Sequence, residues 1–183
     1  LYGPGGHTPL GWRGKSVVTV HDVAIYEHPE WFDGLGSQNF STRVLVPRSL
    51  AQATTIIAVS EATKQGIARV FPGYEKKTVV IAPGVEVPSE VEPFSKETIQ
   101  RFGLTEDVIL FVGTLEPRKN LVNAIHGFGA FLHSHPERVE TTRFILAGGR
   151  GWGAEEVEEA INALNAEFAS VVPTGVVRHV GYV

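Results

Sequence analysis

The 183-residue sequence contains no cysteine. That excludes a disulfide framework and a cysteine nucleophile within this stretch, and it fits a cytosolic protein without establishing one. Methionine is absent too. The chain opens on Leu1, Tyr2, Gly3, Pro4 and Gly5, with no basic n-region and no apolar h-region, so no signal peptide is read. An interior piece of a longer protein is the expectation. No apolar run approaches the roughly 20 residues needed to cross a bilayer. Basic residues are scarce, with 16 Lys and Arg against 20 Asp and Glu and a net charge of -4. Without a basic stripe, no nucleic-acid partner is expected. Metal signals are lacking as well. The seven histidines are scattered, and there is no His-Glu-x-x-His array or convincing carboxylate pair, so no metal is expected. Nor is there a complete Walker loop, which makes kinase and ATPase readings poor.

What is present describes a globular chain, 43% hydrophobic and 20% charged. Residues 1–15 are rich in Gly and Pro and read as loop. A short apolar strand at 16–20 runs into His21 and Asp22. The segment 23–36 reads as a long loop with one turn of helix. A helix is expected at 40–53, kinked at Pro47, then a strand at 55–59. Ser60 is the expected N-cap of a helix at Glu61–Val70, and a strand follows at 78–82. Residues 87–94, with Pro88 and Pro93 among acidic residues, form the linker candidate. Ser95 caps a short helix that ends at Gly103.

The second half repeats the rhythm. The strand at 108–112 has almost no polar interruption, as expected when helices cover both faces of a sheet. Leu121, Ile125, Phe128 and Leu132 form one helical stripe, and Val157, Ile161, Leu164 and Phe168 another. Strands are expected at 143–147 and 176–180. Three strands before the linker and three after it make the fold α/β, with parallel-sheet Rossmann-like units. The divisions are 1–86, a linker with a short helix at 87–103, and 104–183.

The run Phe-Val-Gly-Thr-Leu-Glu-Pro-Arg-Lys-Asn at 111–120 carries the strongest chemical signal. A strand ends in Gly113 and Thr114, and two cations, Arg118 and Lys119, sit where a helix should begin. A helix N-terminus holds phosphate well, whereas a cation there is unfavourable unless an anion joins it. Glu116 could be that anion, which leaves the plainer reading of two solvated cations open. His21 and Asp22 end a parallel strand, where α/β sites form. The plainer readings are a structural histidine and an Asp that caps the next turn. Gly148, Gly149 and Gly151 form a second strand-end loop, bordering a ligand or only fitting a turn. The glycines at 3, 5 and 6 lack a preceding strand and so have little value as a phosphate loop; Gly5 and Gly6 stay as possible acceptor contacts.

Six ordered blocks then carry a resemblance. They are Val-Val-Thr-Val-His-Asp at 17–22, Ile-Ala-Val-Ser-Glu at 57–61, Ile-Ala-Pro-Gly-Val at 81–85, the run at 111–120, Ala-Gly-Gly at 147–149 and Val-Gly-Tyr at 180–182. Together they resemble retaining glycosyltransferases of family 4, which have the two-domain GT-B architecture. The wording is most similar to bacterial mannosyltransferase-like members that build polysaccharides or lipid-linked glycans.

The resemblance implies a fragment of a two-domain GT-B enzyme: residues 1–86 from the acceptor-side domain, and 104–183 from the first half of the donor-binding domain. It implies transfer of a hexose from a nucleoside-diphosphate sugar, GDP-mannose favoured and a UDP-sugar possible, to a glycan or lipid-linked acceptor. It implies no cofactor and no metal in the chemical step. His21 matches the family histidine beside the donor sugar and its phosphate, and Lys119 the lysine on the donor diphosphate, so both are implied to be catalytic. Gly113, Thr114 and Arg118 complete the implied diphosphate set, and Asp22, Gly149, Gly5 and Gly6 are implied sugar or acceptor contacts. Many members carry an arginine where this chain has Thr114; Arg118 is the nearby substitute. A base-binding strand and a paired-glutamate motif are expected beyond Val183, so the fragment alone is expected to be weak or inactive. A cytoplasmic location is implied, with peripheral association at the inner membrane face open. Two other readings stay open: a non-catalytic nucleotide-sugar or glycan-binding module, and a different two-domain enzyme such as a nucleotide-sugar epimerase or a glycogen-type synthase. Oligomeric state is not read.

Overall fold

The computed structural model describes residues 1–32, 39–90 and 92–183. They form two compact units, Leu1–Pro88 and Ser89–Val183.

The first unit holds β1 (Tyr2–Gly3), β2 (Val17–Val20), α1 (Ala24–Glu27), α2 (Val46–Gln52), β3 (Thr55–Ala58), α3 (Glu61–Val70) and β4 (Thr78–Val80). Its strands lie parallel in the order β1-β2-β3-β4. Residues 1–15 are therefore not all loop. Tyr2 and Gly3 pair with Val17 and Val18 and add a fourth strand. Gly3 is needed there, because a Cβ would sit 2.4 Å from the His7 carbonyl oxygen. The Tyr2 hydroxyl also hydrogen-bonds the Thr19 hydroxyl, 3.0 Å away.

The helix expected at 40–53 opens as a π-type turn, Ser41–Leu45, before α2 begins. Pro47 lies in the first turn of α2, where its missing N–H costs little. Ser60 caps α3 through its hydroxyl, which accepts from the Thr63 N–H. Val18, Val20, Leu50, Ile56, Ala58 and Ile67 make the core. Of the segment 23–36, α1 and a 3₁₀ turn at Pro29–Trp31 are seen; residues 33–36 lie outside the described residues, as does position 91 of the 87–94 linker.

The second unit holds α4 (Lys96–Phe102), β5 (Asp107–Val112), α5 (Leu121–Ser134), β6 (Thr142–Ala147), α6 (Ala154–Glu167) and β7 (Val177–Gly181). Ser95 caps α4, and Gly103 ends it in the left-handed conformation, φ 62°. The strands are parallel in the order β5-β6-β7. Leu121, Ile125, Phe128 and Leu132 are all buried, and so are Val157, Ile161 and Leu164.

One expectation fails here. Among the described residues, helices do not cover both faces of β5. Leu110 is 60% and Val112 70% exposed. Among the described residues β5 is an edge strand, and α5 and α6 pack against one another. Val108, Leu110 and Val112 instead border an apolar groove of about 360 Å³, with Phe102, Ile145 and Val180 on its walls. The unbroken apolar run reads correctly as strand; its cover by helices does not follow from the run itself.

Candidate functional site

In the second unit the parallel ladder continues past the strand ends. The Gly113 N–H donates to the Ala147 carbonyl at 2.8 Å, Leu115 N–H to Gly149 at 3.0 Å, and Gly151 N–H to Leu115 at 3.0 Å. Gly113 has φ 153° and Gly148 φ 147°, a region that favours glycine. The two backbones touch, since a Cβ on Gly148 would lie 2.0 Å from the Gly113 carbonyl oxygen. Beside them lies a cavity of about 250 Å³, bordered by Gly113, Thr114, Gly148, Gly149, Tyr182 and Val183. The Gly113 and Gly148 N–H groups are spent on Ala147 and Gly181. Those of Thr114 and Gly149 have no hydrogen-bond acceptor among the described residues. Two unspent N–H groups bordering one cavity are an arrangement suited to an oxyanion.

Arg118 and Lys119 do not start α5. They lie on a separate 3₁₀ turn, Pro117–Lys119, and Asn120 in the left-handed conformation joins that turn to the helix. Arg118 pairs with Glu116 at 2.7 Å. Lys119 is exposed, and no carboxylate pairs with it among the described residues. Glu116 thus answers one cation and not the other. Neither side chain borders the cavity itself.

In the first unit, His21 follows β2 and is exposed. Its Nε2 lies 3.0 Å from the Pro4 carbonyl oxygen. Opposite a carbonyl, Nε2 must carry the proton and donate. The His21 carbonyl accepts from the Thr63 hydroxyl at 3.0 Å, which ties this strand end to α3. The loop through Pro4, Gly5 and Gly6 does follow a strand, β1, which corrects the sequence reading of that loop. Gly6 has φ 83°, and nothing lies within 4 Å of a Cβ placed on Gly5. Asp22 caps the next turn: its Oδ1 accepts from the Ala24 N–H at 2.9 Å. The structure thus groups His21 with the Pro4–Gly6 loop, and Gly113 and Thr114 with Gly149.

Sequence reasoning misses two contributors. Tyr182 lies just past β7 on the cavity border. His179 reaches the Gly148 carbonyl, with Nε2 2.8 Å from its oxygen. The only available signal is a histidine two residues before a strand-end glycine, and that is not distinctive. Among the described residues, no group of three or more His, Asp or Glu could hold a metal ion. No helix there is long and apolar enough to cross a membrane.

Solved structures decide the fold. An E. coli trehalose-6-phosphate structure bound with UDP-2-fluoro glucose superposes with a TM-score of 0.67 at 14% identity, covering 94% of this chain and 43% of that one. Anabaena HepE in complex with UDP gives 0.55 at 20% identity, covering 93% and 43%. The chain has a GT-B-like glycosyltransferase fold.

Curated relatives with glycosyltransferase names are also similar to this chain. The D-inositol 3-phosphate glycosyltransferase of Acidothermus cellulolyticus is 34% identical over 159 residues, 86% of this chain and 36% of the relative. The O-antigen chain mannosyltransferase B of Escherichia coli is 26% identical over 178 residues, 92% of this chain and 42% of the relative. The chain therefore spans well under half the length of these relatives. No family model matches it.

Proposed function

We propose that the chain is part of a retaining family 4 glycosyltransferase that moves a hexose from a nucleoside-diphosphate sugar to a glycan or lipid-linked acceptor. In this reading Leu1–Pro88 belongs to the acceptor side and Ser89–Val183 to the donor side. The observation that carries it is the strand-end cavity of the second unit, where two glycine backbones meet beside the unspent N–H groups of Thr114 and Gly149. Lys119, exposed and without a carboxylate partner among the described residues, follows on the next turn.

The chemistry follows from charge. As the bond between sugar and diphosphate breaks, negative charge grows on the leaving oxygens. Fixed N–H groups and an ammonium there stabilise the transition state more than the ground state. Lys119 acts as a point charge on the diphosphate. The family resemblance is what supports a catalytic role for His21, and its ring is held by the Pro4 carbonyl. Retention puts acceptor attack and leaving-group departure on one face, with a diphosphate oxygen helping to take the proton.

GDP-mannose is the favoured donor, supported by the mannosyltransferase among the relatives. A UDP-sugar is the other candidate, supported by the ligands named in the superposed structures. Calorimetric titration of the full gene product with GDP and UDP, wild type against Lys119→Ala, tests the reading. A weakening of about tenfold, or ~1.4 kcal/mol, is expected for an exposed charge-assisted contact. Equal affinity would remove Lys119 from the site. Tight donor binding with no sugar transfer would favour the non-catalytic module instead.

A further inference from the structure

We propose that His179 is a positioning residue that aims the Gly149 N–H into the strand-end cavity. The proposal rests on reading that cavity as a nucleoside-diphosphate site.

It begins with an irregularity in β7. Leu146 pairs with His179, but Ala147 pairs with Gly181, so Val180 is an extra residue in the ladder. Such a bulge bends the strand and re-aims nearby side chains. The His179 ring meets the Gly148 carbonyl, Nε2 to oxygen 2.8 Å, across 31 residues of sequence. The Gly148 N–H donates to the Gly181 carbonyl at 2.7 Å. β7 thus holds both polar groups of Gly148, one by main chain and one by a side chain.

That grip matters because of what Gly148 is. Contact with the Gly113 carbonyl forbids a Cβ, so the residue at 148 must be glycine, whose backbone is the least restrained of any. A peptide bond is planar and trans, so its C=O and N–H point in opposite directions. The Gly148 carbonyl and the Gly149 N–H share one such plane. Holding the oxygen on His179 therefore fixes the direction of the Gly149 N–H. That N–H has no acceptor among the described residues, and Gly149 borders the cavity. The hydrogen bond also polarises the peptide, which makes its N–H a better donor to an oxyanion.

The test uses His179→Phe, which keeps a planar ring without a donor, and His179→Gln, which keeps an N–H at similar reach. Two readouts are taken: the ligand-free amide NMR signal of Gly149 in the chain, and UDP and GDP affinity of the full gene product by calorimetry. In His179→Phe the Gly149 signal should move and its hydrogen exchange should quicken. Affinity should fall about tenfold, and His179→Gln should restore most of it. A Gly149 signal unchanged in His179→Phe overturns the proposal. So does unchanged affinity, or an affinity loss that glutamine does not rescue. If the wild-type full gene product binds neither UDP nor GDP, the reading of the cavity fails on its own account. The Gly149 signal, which needs no ligand, then decides the role of His179: a moved signal supports it and an unmoved one refutes it.

Discussion

Replacing Gly148 by alanine should damage the second unit at one defined place. The new Cβ would lie 2.0 Å from the Gly113 carbonyl oxygen and 2.6 Å from its carbon, whereas ordinary contact begins at 3.4 Å. Both are backbone atoms, so no side chain can swing away. The loops must part by about 1.4 Å, the difference between 3.4 and 2.0 Å. Two bonds span that gap, Gly113 N–H to Ala147 and Leu115 N–H to Gly149. Losing them costs roughly 0.5–1.5 kcal/mol each. Alanine at φ 147° adds about 1–3 kcal/mol of strain. Together the loss is about 2–6 kcal/mol, a large part of the total stability of a small domain. Urea denaturation followed by circular dichroism measures it. Gly149→Ala is the control, because a Cβ there meets nothing within 4 Å and the residue has no positive φ. It should keep wild-type stability within about 0.5 kcal/mol. A Gly148→Ala chain as stable as wild type, or a Gly149→Ala chain equally weakened, would refute the account of the crossed loops.

Two further outcomes concern the first unit. The Lys77 ammonium donates to the carbonyls of Leu50, Ala51 and Ala53 at 2.6, 2.9 and 3.2 Å, closing the C-terminus of α2. Lys77→Met should therefore cost about 1–3 kcal/mol, read as a lower melting temperature; no change would show that water serves those carbonyls equally well. Burial pushes the Tyr26 hydroxyl up to about 12, and it donates to the Thr42 carbonyl at 2.8 Å. Because the folded value lies above the ordinary 10, its contribution is whole below pH 10 and is lost as pH rises towards 12. Ultraviolet titration should show a late phenolate step near pH 12, absent in Tyr26→Phe; a variant with the same titration curve would contradict this.

The sequence makes the helices legible for local reasons. Ser60 before Glu61, and Leu121, Ile125, Phe128 and Leu132 at helical spacing, need only neighbours within a turn or two. What hides from it is contact between distant segments. Tyr2–Gly3 is too short to show a period, and its pairing rests on Gly3 passing close to His7. The openness of β5 depends on which face the crossover helices take, and an apolar run looks the same either way. His21 meets Pro4 across 17 residues and His179 meets Gly148 across 31. Strand-end glycines are visible as candidates in the sequence. Which of their N–H groups stay unspent emerges only when β5, β6 and β7 are aligned.

The central claim is that the strand-end cavity of the second unit takes the diphosphate of a sugar donor. The most direct test is an amide NMR titration of the ¹⁵N-labelled chain with UDP and with GDP at millimolar concentration, where weak binding is still visible. The account predicts saturable shifts for at least one nucleotide that cluster at Gly113, Thr114, Lys119, Gly148 and Gly149. Shifts from neither nucleotide, or shifts that cluster on the apolar groove beside Leu110 and Val112 instead, would contradict it.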